Sequence, residues 1–194
     1  MIILASTSNI RQTLLKQAGI VFTAVAPSCD EDALKIKLGP INPKSLAQTL
    51  ALAKAESVSV AHPTAIIIGS DQTLDLHGQT LNKPHDLEDA RKQLEMLRGQ
   101  THTLHSAIAI KRGENILFQT VSSAHLTMRD FSDRFLSTYL DLAGPEIHFS
   151  LGGYQLEYRG VQLFDDIDGD YFSILGLPLL PLLAFLRKIG ELPE

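Results

Sequence analysis

The stretch Ala65-Ile66-Ile67-Ile68-Gly69-Ser70-Asp71-Gln72 decides how this 194-residue chain is read. Its apolar residues run on without the alternation of a half-solvated strand, which suits a central strand covered on both faces, as in parallel sheets. Such a strand puts Ser70, Asp71 and Gln72 at its carboxyl end, where the loops of open α/β sheets leave a crevice for ligands. Beyond it, Leu74-Asp75-Leu76 and Thr80-Leu81-Asn82 flank His77-Gly78, the pattern of a hairpin, and Lys83-Pro84 follows. Before it, residues 43–60 predict a long helix with Pro43 in its first turn. Leu46, Leu50 and Ala53 form the apolar stripe of that helix. Lys54 sits on the edge of the stripe, with a buried stem and an ammonium that reaches a cleft.

Further out, residues 1–5 predict a buried strand, and Ser6-Thr7-Ser8-Asn9 offers N-caps for a helix that Gly19 ends. A second strand over 21–26 leads into an acidic loop, Ser28-Cys29-Asp30-Glu31-Asp32. Downstream, residues 86–98 predict a helix ended by Gly99, and 101–111 and 116–128 predict two long strands joined by a turn. A helix over 132–143 has Ser132 as its cap and Gly144 as its stop. Residues 171–186 are the most apolar segment, interrupted by Gly176, Pro178 and Pro181, and are read as buried core that ends in Arg187-Lys188-Ile189-Gly190. Strands and helices alternate early while the middle supplies adjacent long strands. The expectation is therefore an α/β fold, a mixed twisted sheet flanked by helices, as a single domain over residues 1–194.

Composition narrows the function classes. Lys and Arg number 17 against 22 Asp and Glu, a net charge of −5, so no basic excess draws the chain to a nucleic-acid polymer. Cys29 is the single cysteine, which excludes an intrachain disulfide and a Cys-rich zinc site and fits a cytoplasmic setting. The apolar segment at 171–186 is shorter than the roughly 20 residues of a spanning helix, so no membrane partner is expected, and no secretory signal is readable.

Several residues are candidates for chemistry, each with a plainer reading beside it. Ser6, Thr7 and Ser8 between a strand and a helix, with Arg11 on the first turn, form an anion site, or they cap a helix and Arg11 is solvated. Asp71 at a strand end is a base whose position is fixed, or an ordinary turn aspartate. Glu31 is a metal ligand from the acidic loop, or a solvated charge. His102 and His105, three apart on a strand, point to opposite faces and hold no metal together. His62, His77 and His85 fall at loops or helix ends and are expected to be exposed. Phe164 to Asp170 lacks EF-hand spacing and reads as an acidic turn. Neither a P-loop nor a Gly-x-Gly-x-x-Gly fingerprint occurs.

Seven segments, taken in order, resemble one family, the Maf-like nucleoside triphosphate pyrophosphatases. They are Leu4-Ala5-Ser6-Thr7-Ser8-Asn9-Ile10-Arg11, Asp30-Glu31, Ala53-Lys54-Ala55, Ile68-Gly69-Ser70-Asp71-Gln72, Lys83-Pro84, Leu97-Arg98-Gly99-Gln100-Thr101-His102 and Gly176-Leu177-Pro178-Leu179. The resemblance implies two lobes around a nucleotide-binding cleft, as in inosine triphosphatase-like proteins, often as a homodimer. It also implies hydrolysis of a nucleoside triphosphate to monophosphate and pyrophosphate with Mg²⁺ or Mn²⁺, a catalytic Asp71, and links to nucleotide house-cleaning and cell-division arrest. Within that picture Ser6, Ser8, Arg11, Lys54 and Lys83 bind the phosphates, and Glu31 and Asp71 supply oxygen ligands to the metal. Asp71 activates water or chiefly ligates metal; both roles stay open. For specificity, Gln72 resembles the 7-methyl-GTP branch, where the dTTP/UTP branch usually carries threonine. Glu157 matches the former branch's Ser-Glu-Gly glutamate, although here it lies in Leu156-Glu157-Tyr158, and Ile10 stands where that branch often has tryptophan. The alternatives are a nucleotide-binding regulator of septum formation that does not hydrolyse its ligand, and a phosphatase that releases orthophosphate.

Overall fold

The computed structural model describes residues 1–193, with Pro145 and Glu146 by their backbone alone. The continuous apolar run is strand β3 (Ile66–Leu76), which extends past Asp71 because the hairpin partner β4 (Gln79–Leu81) pairs antiparallel with its far end. His77 at φ 53° and Gly78 at φ 85° form the tip, the doubly left-handed turn that matches strand twist in a two-residue hairpin. On the other side, β1 (Ile2–Ala5) runs parallel to β3 and to β2 (Phe22–Val25). With β5 (Thr101–Arg112), β6 (Asn115–Met128) and β7 (Phe164–Asp168), the sheet has seven strands among the described residues, six in the order β2-β1-β3-β5-β6-β7 and β4 paired to β3 off that path. Parallel and antiparallel pairs coexist, so the mixed sheet expected from the sequence is present.

The helices are α1 (Asn9–Gln17), α2 (Glu31–Leu38), α3 (Pro43–Ser59), α4 (Leu87–Leu97), α5 (Asp133–Ala143), α6 (Tyr171–Ile174) and α7 (Leu179–Lys188). The chain divides into two compact units, and the divisions fall inside β3, β5 and β6. The first comprises residues 1–72, 105–122 and 170–194, and the second 73–104 and 123–169.

The first unit explains why β1 and β3 do not alternate in polarity. Ile2, Leu4, Ile66 and Ile68 face one side and pack with Leu14 and Leu15 of α1 and Leu182, Phe185 and Leu186 of α7. Ile3, Ala5 and Ile67 face the other and meet Ala47, Ala51, Ala55 and Val58 of α3. Both faces are dry, so both parities are apolar. The α3 stripe runs through Leu46, Ala47, Leu50, Ala51, Lys54, Ala55 and Val58, so Lys54 lies within it, while Ala53 is only half-buried.

The second unit packs α4 and α5 with two short 3-10 turns between residues 145 and 153. Asp86 and Ser132 cap the two helices by accepting from Asp89 N–H and Phe135 N–H. His102 is 1% exposed, its Nε2 lies 2.7 Å from the Tyr154 hydroxyl, and its ring sits against Tyr154 and Phe164. Among the described residues its Nδ1 has no hydrogen-bond partner. Burial pulls its pKa down from 6.5 to about 4. Between those values the unfolded chain binds the proton and the folded one does not, so stability is full above pH 6.5 and falls toward pH 4. The loss from this group is on the order of 3 kcal/mol. Urea unfolding at several pH values checks this: His102→Gln, which cannot titrate, is expected to flatten the slope relative to wild type, and equal slopes would refute it.

Three sequence expectations are corrected. Residues 31–38 are helix α2 rather than acidic loop: Asp30 caps it by accepting from Ala33 N–H at 2.9 Å, and Glu31 and Asp32 sit in its first turn, where negative charge suits the dipole. The acidic turn at 164–170 is strand β7, an edge strand whose aspartates point to solvent, followed by Asp170 as the cap of α6. His62 is half-buried, whereas His77 and His85 are exposed as expected.

Candidate functional site

The register of β1 on β3 builds the site. Ala5 pairs with Gly69 and also with Val25 of β2, so the parallel pairing of the three strands stops at one level while β3 runs on. Ser6 therefore follows β1 beside Ser70, and the chain from β2 enters α2 at the same edge. This is the carboxyl edge of the parallel part of the sheet, where backbone donors and side chains from separate loops can meet one ligand.

Asp71 is 7% exposed and Lys54 8% exposed. Lys54 Nζ donates to Asp71 Oδ1 at 2.5 Å and lies 3.0 Å from Glu31 Oε1. Two carboxylates from different elements thus converge on a single ammonium. The contact depends on Gly69: an added Cβ there would lie 2.1 Å from the Ala51 carbonyl oxygen and 2.7 Å from Ala55 N. A bare backbone at 69 lets α3 rest directly on β3, which brings Lys54 to a residue two positions along the strand.

Arg11, on the first turns of α1, is spent partly on carbonyls. Its Nε donates to Gly176 O at 2.8 Å and its Nη1 to Ser70 O at 2.9 Å, while Ser70 Oγ donates to Gly176 O at 3.0 Å. Gly176 has φ +96°, and a Cβ there would meet Gln72 and Arg11 at 3.4–3.5 Å. Burial lowers the Arg11 pKa, and the charges of Asp71 and Glu31 oppose that shift. Arg11 stays charged, with most of its five N–H donors outside these two bonds. At the start of α1, Ser8 stands at the cap position without a side-chain cap bond, and its N–H donates to Ser6 Oγ at 3.2 Å. Cys29 is half-buried beside this cluster, and burial together with the Glu31 charge pushes its thiol pKa up.

Gln72 is held by its amide nitrogen, which donates toward Ser106 Oγ at 2.9 Å, Ser173 O at 3.1 Å and Ile174 O at 2.9 Å. Ser106 Oγ donates in turn to Ser173 O at 2.6 Å, and Asp170 accepts from the amide and hydroxyl of Ser173. The donor end of Gln72 therefore ties β3 to the segment around α6. Ser106 and Ser173, which carry this network, have no sequence signal of their own, since the bond between them spans 67 residues and Gln72 lies 34 residues from Ser106.

The first unit thus brings together Ser6, Ser8, Arg11, Glu31, Lys54 and Asp71. Ile10 is half-buried and packs against the apolar cluster under α1. Lys83 and Glu157 belong to the second unit: Lys83 is exposed between β4 and α4, and Glu157 is half-buried in a turn at 156–158. Among the described residues no group of three or more His, Cys, Asp or Glu side chains could hold a metal ion. No helix among them is long and apolar enough to cross a membrane. Arg98, in the segment Leu97 to His102 that carries part of the resemblance, donates to Phe131 O and Asp133, a structural role at the start of α5.

The profile of the Maf-like protein family matches residues 1–189. A nucleoside triphosphate pyrophosphatase of Caulobacter vibrioides is 49% identical over 191 residues, covering 97% of this chain and 96% of that protein. A 7-methyl-GTP pyrophosphatase of Brucella abortus is 48% identical over 189 residues, covering 96% and 95%. A nucleoside triphosphate pyrophosphatase of Rhodopseudomonas palustris is 50% identical over 187 residues, covering 96% and 93%. With the family profile spanning nearly its whole length, and relatives at 48–50% identity covered almost end to end, this chain belongs to the Maf-like protein family.

Proposed function

We propose that this protein is a nucleoside triphosphate pyrophosphatase that cleaves the α-β phosphoanhydride bond, releasing a nucleoside monophosphate and pyrophosphate. The observation that carries the reading is the convergence of Asp71 and Glu31 on the Lys54 ammonium, beside Arg11 and the uncapped start of α1. A polyphosphate needs cations and N–H donors in one place, and its hydrolysis needs a carboxylate held against the attacking water. Both kinds of group are present at one sheet edge, and relatives at 48–50% identity bear the names of such pyrophosphatases.

In this reading Asp71 orients and deprotonates the water that attacks the α-phosphorus, or holds metal while water is polarised. Arg11, Lys54 and Lys83 bind the phosphates, with the Ser6 and Ser8 groups at the start of α1. A divalent cation fits the donor set: two hard carboxylate oxygens already face one cationic point, and Mg²⁺ typically takes one or two carboxylates and fills its remaining positions with water and substrate phosphate. Glu31 and Asp71 would hold Mg²⁺ or Mn²⁺, which supplies charge stabilisation for the departing pyrophosphate.

Substrate choice belongs to the same proposal. Gln72 and Glu157 favour a purine of the 7-methyl-GTP kind, in line with the Brucella relative's name, while Ile10 offers no aromatic surface for stacking. A cytoplasmic homodimer with house-cleaning and division-arrest roles completes the reading. Incubation with 7-methyl-GTP, dTTP and UTP in Mg²⁺ or Mn²⁺ tests it. Pyrophosphate in equal amount to the monophosphate is expected, with loss of turnover when EDTA is added. Orthophosphate alone would indicate a phosphatase, and bound but uncleaved nucleotide a regulator.

A further inference from the structure

The segment that carries Lys83 has no regular secondary structure, yet the second unit grips it at several points. Residues 82–86 join β4 to α4. At the far end His85 N–H donates to Asp89 Oδ2 at 3.0 Å while Asp89 N–H donates to Asp86 Oδ1 at 2.8 Å, a reciprocal clasp at the helix start. Pro84 is buried and confines Lys83, the residue before it, to extended backbone. On the amino side a buried side chain takes hold of the backbone. Gln93, on the buried face of α4 and 8% exposed, donates its Nε2 to the main-chain carbonyl of Asn82 at 3.1 Å.

Gln93 is an unusual choice for that face. Its neighbours along the helix stripe are Ala90, Leu94 and Leu97, and among the described residues its Oε1 is buried without a hydrogen-bond partner. A buried amide with an unpaired acceptor is a poor stabiliser, and an unbranched apolar side chain of similar length serves the core as well or better. What the amide provides and an apolar residue cannot is the bond to the carbonyl directly before Lys83. That bond fixes the peptide plane between Asn82 and Lys83, and Pro84 fixes the backbone after it, so Lys83 has few backbone torsions left to order when a ligand arrives.

We propose that Gln93 is a positioning residue for Lys83: it holds the Asn82 carbonyl so that the lysine is preorganised for the phosphates of the nucleotide. The inference rests on the pyrophosphatase reading for the role of Lys83, and affinity tests it independently of turnover. Binding of α,β-methylene-UTP, α,β-methylene-dTTP and the α,β-methylene analogue of 7-methyl-GTP is measured for wild type, Gln93→Met, Lys83→Ala and the double variant, with melting temperatures for each. The expected result for Gln93→Met is about tenfold weaker binding of the best analogue, the effect of losing one hydrogen bond's worth of order, with a melting temperature equal to or above wild type. KM for the corresponding triphosphate rises by a similar factor while kcat stays within about twofold. Lys83→Ala weakens binding at least as much, and adding Gln93→Met to it changes nothing further, since a positioning residue has no effect once its target is gone.

Unchanged affinity in Gln93→Met overturns the inference, as do additive effects in the double variant or a fall in affinity that tracks a fall in melting temperature. Unchanged affinity in Lys83→Ala overturns it too. Wild-type protein that binds an analogue but releases no pyrophosphate from the triphosphates overturns the enzymatic reading alone and leaves the affinity comparison decisive for Gln93. Absence of any binding overturns both.

Discussion

Asp71→Asn is expected to lower kcat/KM for the best triphosphate by about 10³-fold or more while the protein stays folded. The carboxylate is fixed by a strand buried on both faces and by the Lys54 ammonium at 2.5 Å, so an amide of the same shape takes its place without a change in packing. It can neither accept a proton from water nor offer a charged oxygen to a metal. Breaking a buried ion pair by removing one partner ordinarily costs about 3–5 kcal/mol, because the remaining charge is stranded. Here Lys54 keeps Glu31 at 3.0 Å, so the loss of stability is expected to stay near 1–2 kcal/mol. Steady-state kinetics and thermal unfolding check the two halves of the prediction. Titration of metal and nucleotide into the variant then separates the roles: intact nucleotide binding with lost metal affinity marks Asp71 as chiefly a ligand, and intact binding of both marks it as the base. Turnover within tenfold of wild type would remove Asp71 from the chemistry.

Gly69→Ala is expected to have the largest effect on stability of any single methyl addition in the first unit. The new Cβ would lie 2.1 Å from the Ala51 carbonyl oxygen and 2.9 Å from Ala55 Cβ, so α3 must lift from β3. Overpacking commonly costs about 1–3 kcal/mol, and a clash with helix backbone rather than a flexible side chain belongs at or above the top of that range. Lys54 immediately precedes Ala55, so lifting the helix draws the ammonium from Asp71 as well. Urea unfolding should show about 3 kcal/mol or more of destabilisation, and the folded fraction should have a reduced kcat. An alanine variant as stable and active as wild type would mean that α3 does not rest on residue 69.

The parts legible in the sequence were those whose cause is local. The β3 run, the α3 helix with Lys54 near its apolar stripe, the His77-Gly78 hairpin and the Ser132 and Gly144 helix boundaries all carry their signal within a few residues. Helix α2 escaped because none of its residues is buried, so it has no apolar period to read. Its evidence is the Asp30 cap and the acidic-to-basic order of Glu31, Asp32, Lys35 and Lys37 along the dipole. Strand β7 escaped because an edge strand rich in aspartate shows the composition of a turn, and only its pairing with β6 makes it a strand. At the site, the serines and Arg11 after β1 pointed to phosphate chemistry. The bonds of Arg11 to Ser70 and Gly176, and of Gln72 to Ser106 and Ser173, were not legible, because carbonyl acceptors leave no trace in residue identity.

The Gly176 carbonyl, which receives both Arg11 and Ser70, follows the last strand in chain order, as do the α7 side chains that cover β1 and β3. Ribosomes make Asp71 105 residues before that acceptor. At about 5–20 residues per second the interval is roughly 5–20 s. During it Ile2, Leu4, Ile66 and Ile68 lack the helix that shields them, and the guanidinium at 11 lacks one of its anchors. Unfinished polypeptides of this protein should therefore be inert toward nucleotides and natural clients of ribosome-associated chaperones, so that hydrolysis in the cell begins only with chains whose synthesis has passed α7.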